Sequence, residues 1–548
     1  MFIYMIIMFS MSIFMMNLMF LFYLNSSLMI MEWLIFNIYS VKFSFLMYFD
    51  YLSLMFMSLV LLISSMIMMY SIEYMKYEKN LDRFNFLLML FVFSMIMMVI
   101  SPSILTILLG WDGLGLISYC LIIYYQNYNS FNSGMLTILC NRIGDIGLLM
   151  LICLSVMYGS FNLMIYYMNY LMMFMLMISC FTKSAQMPFC SWLPAAMTAP
   201  TPISSLVHSS TLVTAGVYLL IRYNEMLMIN NMNYFILIIS SLTMMMSGLI
   251  ANFEFDFKKI IALSTLSQLG LMFSILSLGL YELTFFHLFI HALFKSMMFM
   301  CVGSFIHLMN NNQDIRKYSN MIIVSPYLSM LMLMSIFCLC GFPFLAGFYS
   351  KDLIMEMIFM SKISIISLFF LIMATIFTVS YSFRMMIYIL MLECKFMMIN
   401  LFESKYLNMS MLMLMIILFF VGNIWLNMIF VDYVVILNFF MKILIINLIM
   451  LGMILGFVFF NFNIKYLSLN YFFSSMFYLN YFYKTSYFYP LKYIFMYELI
   501  MEKGWMENFM GLFMYKYMYN YYYYMNNNFI VYMKLNMIIM IIVLLIFI

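Results

Sequence analysis

The chain has 548 residues, of which 67% are hydrophobic and 8% are charged, and its formal net charge is +4. A soluble domain carries about 25% charged residues, so this composition excludes a soluble globular protein and indicates an all-α polytopic membrane protein. The small excess of basic residues lies mostly in predicted loops, so no nucleic acid partner is expected.

Apolar segments long enough to cross a bilayer, about 20 residues each, recur along the chain. The N-terminal segment lacks a basic region and a cleavage site, so we interpret it as a span and not as a removable signal. The even-numbered loops hold most of the basic residues, which predicts that they and the N-terminus face the inner side of the membrane. We predict 15 spans, at 2–24, 50–71, 84–101, 104–124, 135–157, 169–187, 203–222, 234–251, 260–279, 282–306, 322–356, 363–390, 409–430, 437–460 and 529–548.

Polar residues that are costly to bury lie inside the spans of the first half. Asp112 stands mid-span among glycines, and Arg142 and Asp145 lie three residues apart, where they can pair on one helix face. A charge at the bilayer centre costs about 2.5–3.5 kcal/mol, which favours a functional role. A purely structural ion pair stays open as the alternative for Arg142 and Asp145.

The stretch 181–210 contains four of the eight prolines. Proline removes a backbone donor, so a helix must break here, and a break at membrane depth needs protein or a water-filled cavity around it. Lys183 precedes the break and His208 follows it, which predicts an ion or proton site. The alternative is a kinked connector whose lysine extends to the membrane interface.

In the second half, three ionisable residues are spaced by four positions. His287, His291 and Lys295 therefore share one helix face, each about 6 Å further along the axis. Three costly residues on one face favour a proton path over unrelated interior side chains.

A second break, rich in glycine and proline, precedes Lys351 and Asp352. Two breaks, each with a lysine, are typical of the internal duplication that transporters use. His307 ends its span and is interpreted as an interface residue. Lys258 and Lys259 start a span and are interpreted as orientation signals.

Residues 461–528 are too polar to span, yet they are rich in Tyr and Phe and hold five lysines. This composition predicts a helix in the plane of the membrane interface, interrupted at Pro490 and Gly504. A loosely ordered loop is the alternative.

The nine cysteines are scattered and form no C-x-x-C pair, so no metal or iron–sulfur cluster is predicted in this chain. Any redox chemistry of an assembly is therefore assigned to other chains. The 74 methionines, with abundant Phe and Tyr, reflect A- and U-rich codons and a code that reads AUA as Met. This bias indicates a mitochondrially encoded gene.

Several motifs are specific enough to carry a resemblance. They are Gly-Trp-Asp-Gly-Leu-Gly-Leu-Ile-Ser-Tyr (110–119), Asn-Arg-Ile-Gly-Asp (141–145), Lys-Ser-Ala-Gln-Met-Pro (183–188), Trp-Leu-Pro-Ala-Ala-Met (192–197), Pro-Thr-Pro-Ile-Ser-Ser-Leu-Val-His-Ser-Ser-Thr (200–211), Ser-Thr-Leu-Ser-Gln-Leu-Gly (264–270), His-Ala-Leu-Phe-Lys (291–295) and Gly-Phe-Tyr-Ser-Lys-Asp (347–352). The chain resembles the chain 5 family of mitochondrial NADH–ubiquinone oxidoreductase, respiratory complex I. Asn-Gln-Asp-Ile-Arg-Lys (312–317) and the long C-terminal arm favour chain 5 over the related chains 2 and 4.

The resemblance implies an antiporter-like fold with inverted repeats, two broken helices, a long amphipathic lateral helix and a C-terminal anchor helix. The implied divisions are N-terminal transmembrane helices (1–83), a first five-helix repeat (84–222), a second five-helix repeat (234–390), additional helices (409–460), the lateral helix (461–528) and the anchor (529–548).

The resemblance also implies proton translocation along a charged axis, in a subunit of the H⁺-translocating NADH:ubiquinone reductase. The residues that match the axis are Asp112, Lys183, His208, His287, His291, Lys295 and Lys351, with Arg142 and Asp145 as a supporting ion pair. Many members of the family have Glu where this chain has Asp112, so the distance from this carboxylate to Lys183, or the hydration between them, must differ.

No cofactor is implied in this chain, and FMN, iron–sulfur clusters and ubiquinone are expected in partner subunits. The expected partners are chains 4 and 2 along the lateral helix, accessory subunits, and the lipid bilayer of the inner mitochondrial membrane, with cardiolipin as a candidate lipid. Two other functions stay open. One is a stand-alone cation/proton antiporter that uses the same axis, and the other is a purely structural subunit that clamps its neighbours.

Overall fold

The protein is represented by a computed structural model that describes residues 1–38, 41–318, 320–390, 404–429, 435–461 and 467–547. Its contacts divide the chain into two units, Met1–Ser474 and Ser475–Ile548. Nearly all described elements are helices, as expected for a chain whose backbone groups must be satisfied inside a bilayer.

The first unit begins with a helix, a β-hairpin and a second helix. The elements are α1 (Phe2–Leu24), β1 (Met29–Ile38), β2 (Val41–Phe49) and α2 (Tyr51–Tyr74). The two strands pair antiparallel, with an irregularity in register between Leu34 and Phe36. The sequence analysis did not predict this hairpin. Almost every residue in it is apolar, so the alternation that identifies a strand is weak.

The region from Leu81 to Arg222 contains four long or medium helices, then the proline-rich break and a returning helix. Its helices are α3 (Leu81–Ile100), α4 (Ile104–Ile122), α5 (Tyr128–Val156), α6 (Tyr170–Lys183), α7 (Trp192–Ala195), α8 (Thr201–Ile203) and α9 (Leu212–Arg222). A π-helical segment, Ser204–Thr211, joins α8 to α9.

The region from Asn224 to Leu390 follows with a broken helix of its own. Its helices are α10 (Asn224–Ile229), α11 (Asn233–Phe253), α12 (Phe257–Leu276), α13 (Tyr281–Leu308), α14 (Met321–Val324), α15 (Pro326–Cys340), α16 (Ala346–Met360) and α17 (Ile365–Leu390). Gly341 ends α15 with a φ of +81°, the left-handed conformation that glycine adopts most easily. The first unit ends with α18 (Lys405–Ile429), α19 (Phe439–Asn461) and α20 (Leu467–Ser474).

The second unit is helical from Leu479 to Phe547. It consists of α21 (Leu479–Ile500), a π-helical segment (Met501–Leu512) and α22 (Phe513–Phe547). The predicted interruption at Pro490 is wrong, because Pro490 lies inside α21, whereas Gly504 lies within the π-helical segment that separates α21 from α22. The first residues of the predicted lateral segment, 462–466, lie outside the described residues.

Among the described residues, 13 helices are long and apolar enough to cross a membrane. Each overlaps one of the predicted spans. The two other predicted spans, 169–187 and 322–356, fall on the broken helices, whose pieces α6, α15 and α16 are only 14 to 15 residues long.

Helix α13 lies at the centre of the first unit. It contacts α2, α9, α12, α15, α16 and α18, and the whole of its 18-residue apolar window is buried. The three ionisable residues predicted on one face are therefore enclosed by protein and kept away from lipid.

Candidate functional site

Lys183 is the last residue of α6, directly before the proline-rich break, and its side chain is fully buried. Its Nζ donates a hydrogen bond to the carbonyl oxygen of Trp111 at 3.2 Å and lies 4.9 Å from the centre of the Trp111 ring. A Cβ added at Gly115 would lie 3.3 Å from this Nζ, so the glycine leaves room for the ammonium group. The structure thus places Lys183 against the segment of α4 that carries Asp112.

Two carboxylates act on the Lys183 ammonium. Asp145 and Asp112 both interact electrostatically with it, and Asp145 also pairs with Arg142 at 3.0 Å. The Arg142 side chain is 50% exposed, whereas that of Asp145 is 11% exposed. Asp145 therefore interacts with two cations, the buried Lys183 and the half-exposed Arg142, and not with Arg142 alone.

His208 lies in the π-helical segment after the break and is fully buried. Neither of its ring nitrogens has a hydrogen-bond partner in the part of the chain that the structure describes. The centroid of its ring lies 6.2 Å from that of the Trp192 ring, in an edge-to-face arrangement. Hydroxyl groups bond backbone carbonyls in this segment, as Thr211 does to Leu206 at 2.7 Å. Such side-chain bonds compete with the regular helix, and π segments are frequent at functional sites.

Helix α13 brings His287, His291 and Lys295 into one buried row. Lys295 Nζ donates to Ser264 Oγ of α12. The His291 ring lies 6.4 Å from that of His287, and both His291 nitrogens lack a hydrogen-bond partner among the described residues.

His287 connects this row to the second broken helix. Its Nδ1 lies 3.0 Å from Ser350 Oγ of α16, and its Nε2 lies 3.2 Å from Gln268 Oε1 of α12. Ser350 precedes Lys351 in the chain, so His287 contacts the residue next to the second lysine.

Lys351 lies at the break between α15 and α16 and is 4% exposed. Its Nζ donates to Thr378 Oγ1 at 3.0 Å and to the carbonyl oxygens of Leu339 and Cys340 at 3.3 and 3.5 Å. These carbonyls end α15, where the helix dipole is negative and favours a cation. Asp352 and Lys351 line a small pocket that extends to Leu448 of α19.

Comparison with known proteins assigns the family. Family models match along the chain: "NADH-Ubiquinone oxidoreductase (complex I), chain 5 N-terminus" at 33–85, "NADH:quinone oxidoreductase/Mrp antiporter, TM" at 101–378, and "NADH dehydrogenase subunit 5 C-terminus" at 381–548. The NADH-ubiquinone oxidoreductase chain 5 of Aedes aegypti is 44% identical over 554 residues, which cover 97% of this chain and 95% of that relative.

The chain belongs to the NADH-ubiquinone oxidoreductase chain 5 family.

Another member of the chain 5 family, from Apis mellifera ligustica, is 61% identical over 323 residues, which span 58% of each chain. The solved structures that are similar share the fold alone. The Mrp complex from Dietzia sp. DQ12-45-1b has a TM-score of 0.72 at 21% identity, covering 84% of this chain and 54% of that one. The archaeal membrane-bound sulfane sulfur reductase has a TM-score of 0.64 at 19% identity, covering 76% of this chain and 85% of that one. The expected antiporter-like fold is confirmed.

Several polar residues at this chain 5 site were not singled out from the sequence. They are the hydrogen-bonding residues Ser264, Gln268, Ser350, Thr378 and Tyr381. Lys258 Nζ donates to the carbonyl oxygen of Ala199 at 3.2 Å, so this residue contacts the first break and is more than an orientation signal. The four-residue spacing of Ser264 and Gln268, on the face towards α13, was the available signal.

Within the described ranges, no group of three or more His, Cys, Asp or Glu residues could hold a metal ion. The eight described cysteines are not in disulfides, and Cys394 lies outside the described residues. His307, at the end of α13, packs its ring 6.0 Å from Tyr74.

Proposed function

We propose that this chain is a membrane-arm subunit of respiratory complex I that translocates protons across the inner mitochondrial membrane. Electron transfer from NADH to ubiquinone in other subunits would drive it. The observation that carries the proposal is the row of buried lysine and histidine side chains between the two broken helices, in a chain of the chain 5 family.

The first broken helix provides the loading step in this proposal. A carboxylate close to a buried ammonium stabilises its charged form, and withdrawal of the carboxylate favours proton release. Asp112 and Asp145 are the carboxylates that act on Lys183, and Arg142 competes for Asp145. Small movements of either carboxylate would therefore load or unload Lys183.

The proton then moves past His208 to Lys295, along α13 through His291 and His287, and leaves from Lys351 to the intermembrane side. The contacts of Lys295 with Ser264 and of His287 with Ser350 support the second half of this sequence. Most side chains on this path are fully buried lysines and histidines. A proton that binds to one of them places a positive charge beside the next side chain, and this charge favours release of the proton that the next side chain holds.

In the same proposal, the N-terminus faces the matrix, the C-terminus faces the intermembrane space, and the gene is mitochondrial. The lateral helix within 461–528 contacts chains 4 and 2, with accessory subunits and cardiolipin as further partners. FMN, iron–sulfur clusters and ubiquinone are held by partner subunits. The stand-alone antiporter is disfavoured, because the chain 5 relatives match both the N-terminal and C-terminal segments.

The decisive variant is Lys351→Ala in the full chain within the assembled complex. We expect NADH oxidation to persist while the number of protons translocated per NADH falls, because the exit group has lost its charge. Both rates are measured in proteoliposomes. Lys362→Ala, an exposed lysine after α16, is the matched control and should pump normally. Full proton stoichiometry in Lys351→Ala would refute the assignment.

A blue-native gel of solubilised membranes separates complex I from a free antiporter. We expect the chain in a large band with NADH dehydrogenase activity, together with flavin and iron–sulfur subunits identified by mass spectrometry. Its migration alone, or with small membrane partners only, would favour the antiporter.

A further inference from the structure

A polar cavity of about 280 Å³ lies at the C-terminal end of α13, between this helix and α2, α15 and α18. We propose that this cavity is a proton intake: His307 collects a proton there, and two buried hydroxyl groups pass it to His208. The hydroxyls are those of Tyr70 on α2 and Thr201 on α8. This inference rests on the proposed function, because it adds an entry point to the same proton path.

The cavity is polar and reaches the surface of the protein. Its lining includes Glu73, Lys76, Ser304, His307, Ser404 and Asn408. Lys76 is exposed, and Tyr77, which also lines the cavity, is 86% exposed. About 10–15 Å³ of such space accommodates one water molecule, so the cavity has room for several. Lys76 belongs to one of the basic loops that predict the inner side of the membrane, so the cavity would draw protons from the matrix.

Glu73 joins two of the helices that enclose the cavity. Its Oε2 accepts hydrogen bonds from the backbone N–H groups of Tyr406 and Leu407, at 3.1 and 3.2 Å. These are the first N–H groups of α18, and the dipole of a helix favours a carboxylate at this end. The side chain at the end of α2 therefore caps α18, and the cap holds the two helices together beside the cavity.

His307 is the lining residue best suited to collect a proton, because histidine is the side chain that ordinarily exchanges protons closest to neutral pH. It lies in the last turn of α13, and its ring centroid lies 6.0 Å from that of Tyr74. Tyr74 in turn stacks on Tyr70, with ring centroids 5.5 Å apart. The aromatic wall of the cavity thus leads from His307 to Tyr70, which is fully buried.

The Tyr70 hydroxyl approaches Thr201 at a glycine of α13. Tyr70 Oη donates to the carbonyl oxygen of Met300 at 3.1 Å. A Cβ added at Gly303 would lie 2.4 Å from Tyr70 Oη and 2.5 Å from Thr201 Oγ1, so the two oxygens are at most 4.9 Å apart, the sum of these distances. A single water can bridge a separation of this size. Any larger residue at this position would collide with both hydroxyls.

Thr201 begins the buried segment that leads to His208. Its Oγ1 is buried and has no hydrogen-bond partner within the described part of the chain, and the same holds for both ring nitrogens of His208, seven positions later. The fully buried Ser204 and Ser205 lie between them, and their hydroxyls donate to backbone carbonyls at 2.9 Å. Their oxygens therefore remain able to accept a hydrogen bond.

Each hydroxyl on this route gains one hydrogen as it releases another. A proton from His307, carried by water in the cavity, binds the Tyr70 oxygen while the phenol hydrogen leaves towards Thr201. The threonine hydroxyl repeats this exchange, and the proton finally binds the ring nitrogen of His208 that is an acceptor in the neutral imidazole. The protons of this route thus join the proposed path between Lys183 and Lys295.

The first test removes the two hydroxyls in the assembled complex, with protons per NADH in proteoliposomes as the readout. Tyr70→Phe and Thr201→Val each delete one hydroxyl and leave a side chain of similar size. We expect each variant to lower the ratio while NADH oxidation persists. The double variant should lower it no further than the single variants do, because the hydroxyls act in series.

The second test replaces the collecting group. His307→Ala should lower protons per NADH, and imidazole added to the outer buffer should restore the ratio, because it supplies the missing base to a cavity that is open to the surface. A purely structural role of His307 would not give this restoration. Imidazole should not restore Tyr70→Phe, whose missing hydroxyl lies beyond the cavity.

Tyr318→Phe is the matched control. It removes a fully buried phenol that donates to the carbonyl oxygen of Asn312, outside the cavity and the route, and it should pump normally. Full pumping by Tyr70→Phe or Thr201→Val would overturn the inference, as would additive losses in the double variant. If those variants do not assemble, His307→Ala still decides: a loss that imidazole does not restore overturns the intake.

The outcomes for Lys351 keep the two proposals apart. Full pumping by Lys351→Ala refutes the proposed function itself. A loss in Lys351→Ala, beside full pumping by Tyr70→Phe and His307→Ala, refutes only the intake.

Discussion

The buried lysines are held by different kinds of partner. Lys183 and Lys258 donate to single backbone carbonyls, Lys295 donates to a serine hydroxyl, and Lys351 donates to two carbonyls and a threonine. Of these four, Lys183 has the carboxylates Asp145 and Asp112 acting on it, while Lys351 has Asp352. The two ends of the proposed proton path, Lys183 and Lys351, therefore have acidic neighbours, and Lys295 between them does not.

Asp145 is expected to be as important as Asp112 for loading Lys183. Asp145→Asn removes an attraction on Lys183 and releases Arg142, so protons per NADH should fall at least as far as in Asp112→Asn. The measurement is the pumping ratio in proteoliposomes. Asp82→Asn, an exposed acid in the first turn of α3, is the control. Normal pumping by Asp145→Asn beside a loss in Asp112→Asn would contradict this role.

The charged members of the site could be predicted from the sequence because each is costly in a membrane and therefore conspicuous. Gln268, Ser264 and Tyr381 were not singled out, because hydroxyl and amide groups are common in these helices and are less conspicuous than charges. Their role depends on which neighbouring helix they face, and α17 meets α12 only through tertiary packing.

Among the elements, the second broken helix depends on a close approach of its two halves. A Cβ added at Gly347 of α16 would lie 1.8 Å from the carbonyl oxygen of Cys338 in α15. No real side chain tolerates this distance, so any larger residue must push the halves apart and displace Lys351.

Gly347→Ala should therefore destabilise the protein by at least about 1–3 kcal/mol, the usual cost of overpacking. We expect less assembled complex on a blue-native gel and a lower thermal midpoint. Gly511→Ala adds the same methyl group where nothing lies within 4 Å and should assemble normally. Wild-type assembly of Gly347→Ala would show that the halves can separate freely.

The breaks were predictable because proline and glycine act locally on the backbone. The hairpin and the uninterrupted helix through Pro490 were not. In the hairpin, strand alternation is hidden because most side chains are apolar, and the Phe36 and Phe43 rings stack with their centroids 4.5 Å apart. In α21, the helix continues through Pro490 even though proline lacks the backbone N–H that a helix uses.

Across the first unit, one ion pair connects segments that are 172 residues apart. Arg222, the last residue of α9, donates to both carboxylate oxygens of Asp50, at 2.5 and 2.7 Å. Asp50 also accepts from the backbone of Ser53 and so begins α2. The pair connects the residue after β2 to the last residue of α9.

Asp50→Asn should cost about 3–5 kcal/mol, because it leaves the arginine buried without its partner. Burial disfavours the charged carboxylate, but the hydrogen bonds and charge of Arg222 outweigh it and hold the pKa of Asp50 below its usual range. The stabilisation is therefore present above the usual carboxyl pKa and is lost as the pH falls through the lowered value.

The measurement is the thermal midpoint of the purified complex at neutral and acidic pH. The control Asp256→Asn breaks an exposed pair: the Asp256 side chain is 39% exposed and that of its partner Lys259 is 43% exposed. This change should cost about 0–1 kcal/mol. Equal thermal midpoints for Asp50→Asn and Asp256→Asn at neutral pH would show that the Asp50–Arg222 pair does not stabilise the first unit.

The enclosure of α13 also constrains how the protein is made. The ribosome completes α13 before α15, α16 and α18 exist, so His287, His291 and Lys295 meet the bilayer while half of their eventual cover is still unsynthesised. A lysine near the bilayer centre costs about 2.5–3.5 kcal/mol during that interval. We therefore expect stable insertion of this helix to depend on the helices that follow it, so its buried charges impose an order on biogenesis.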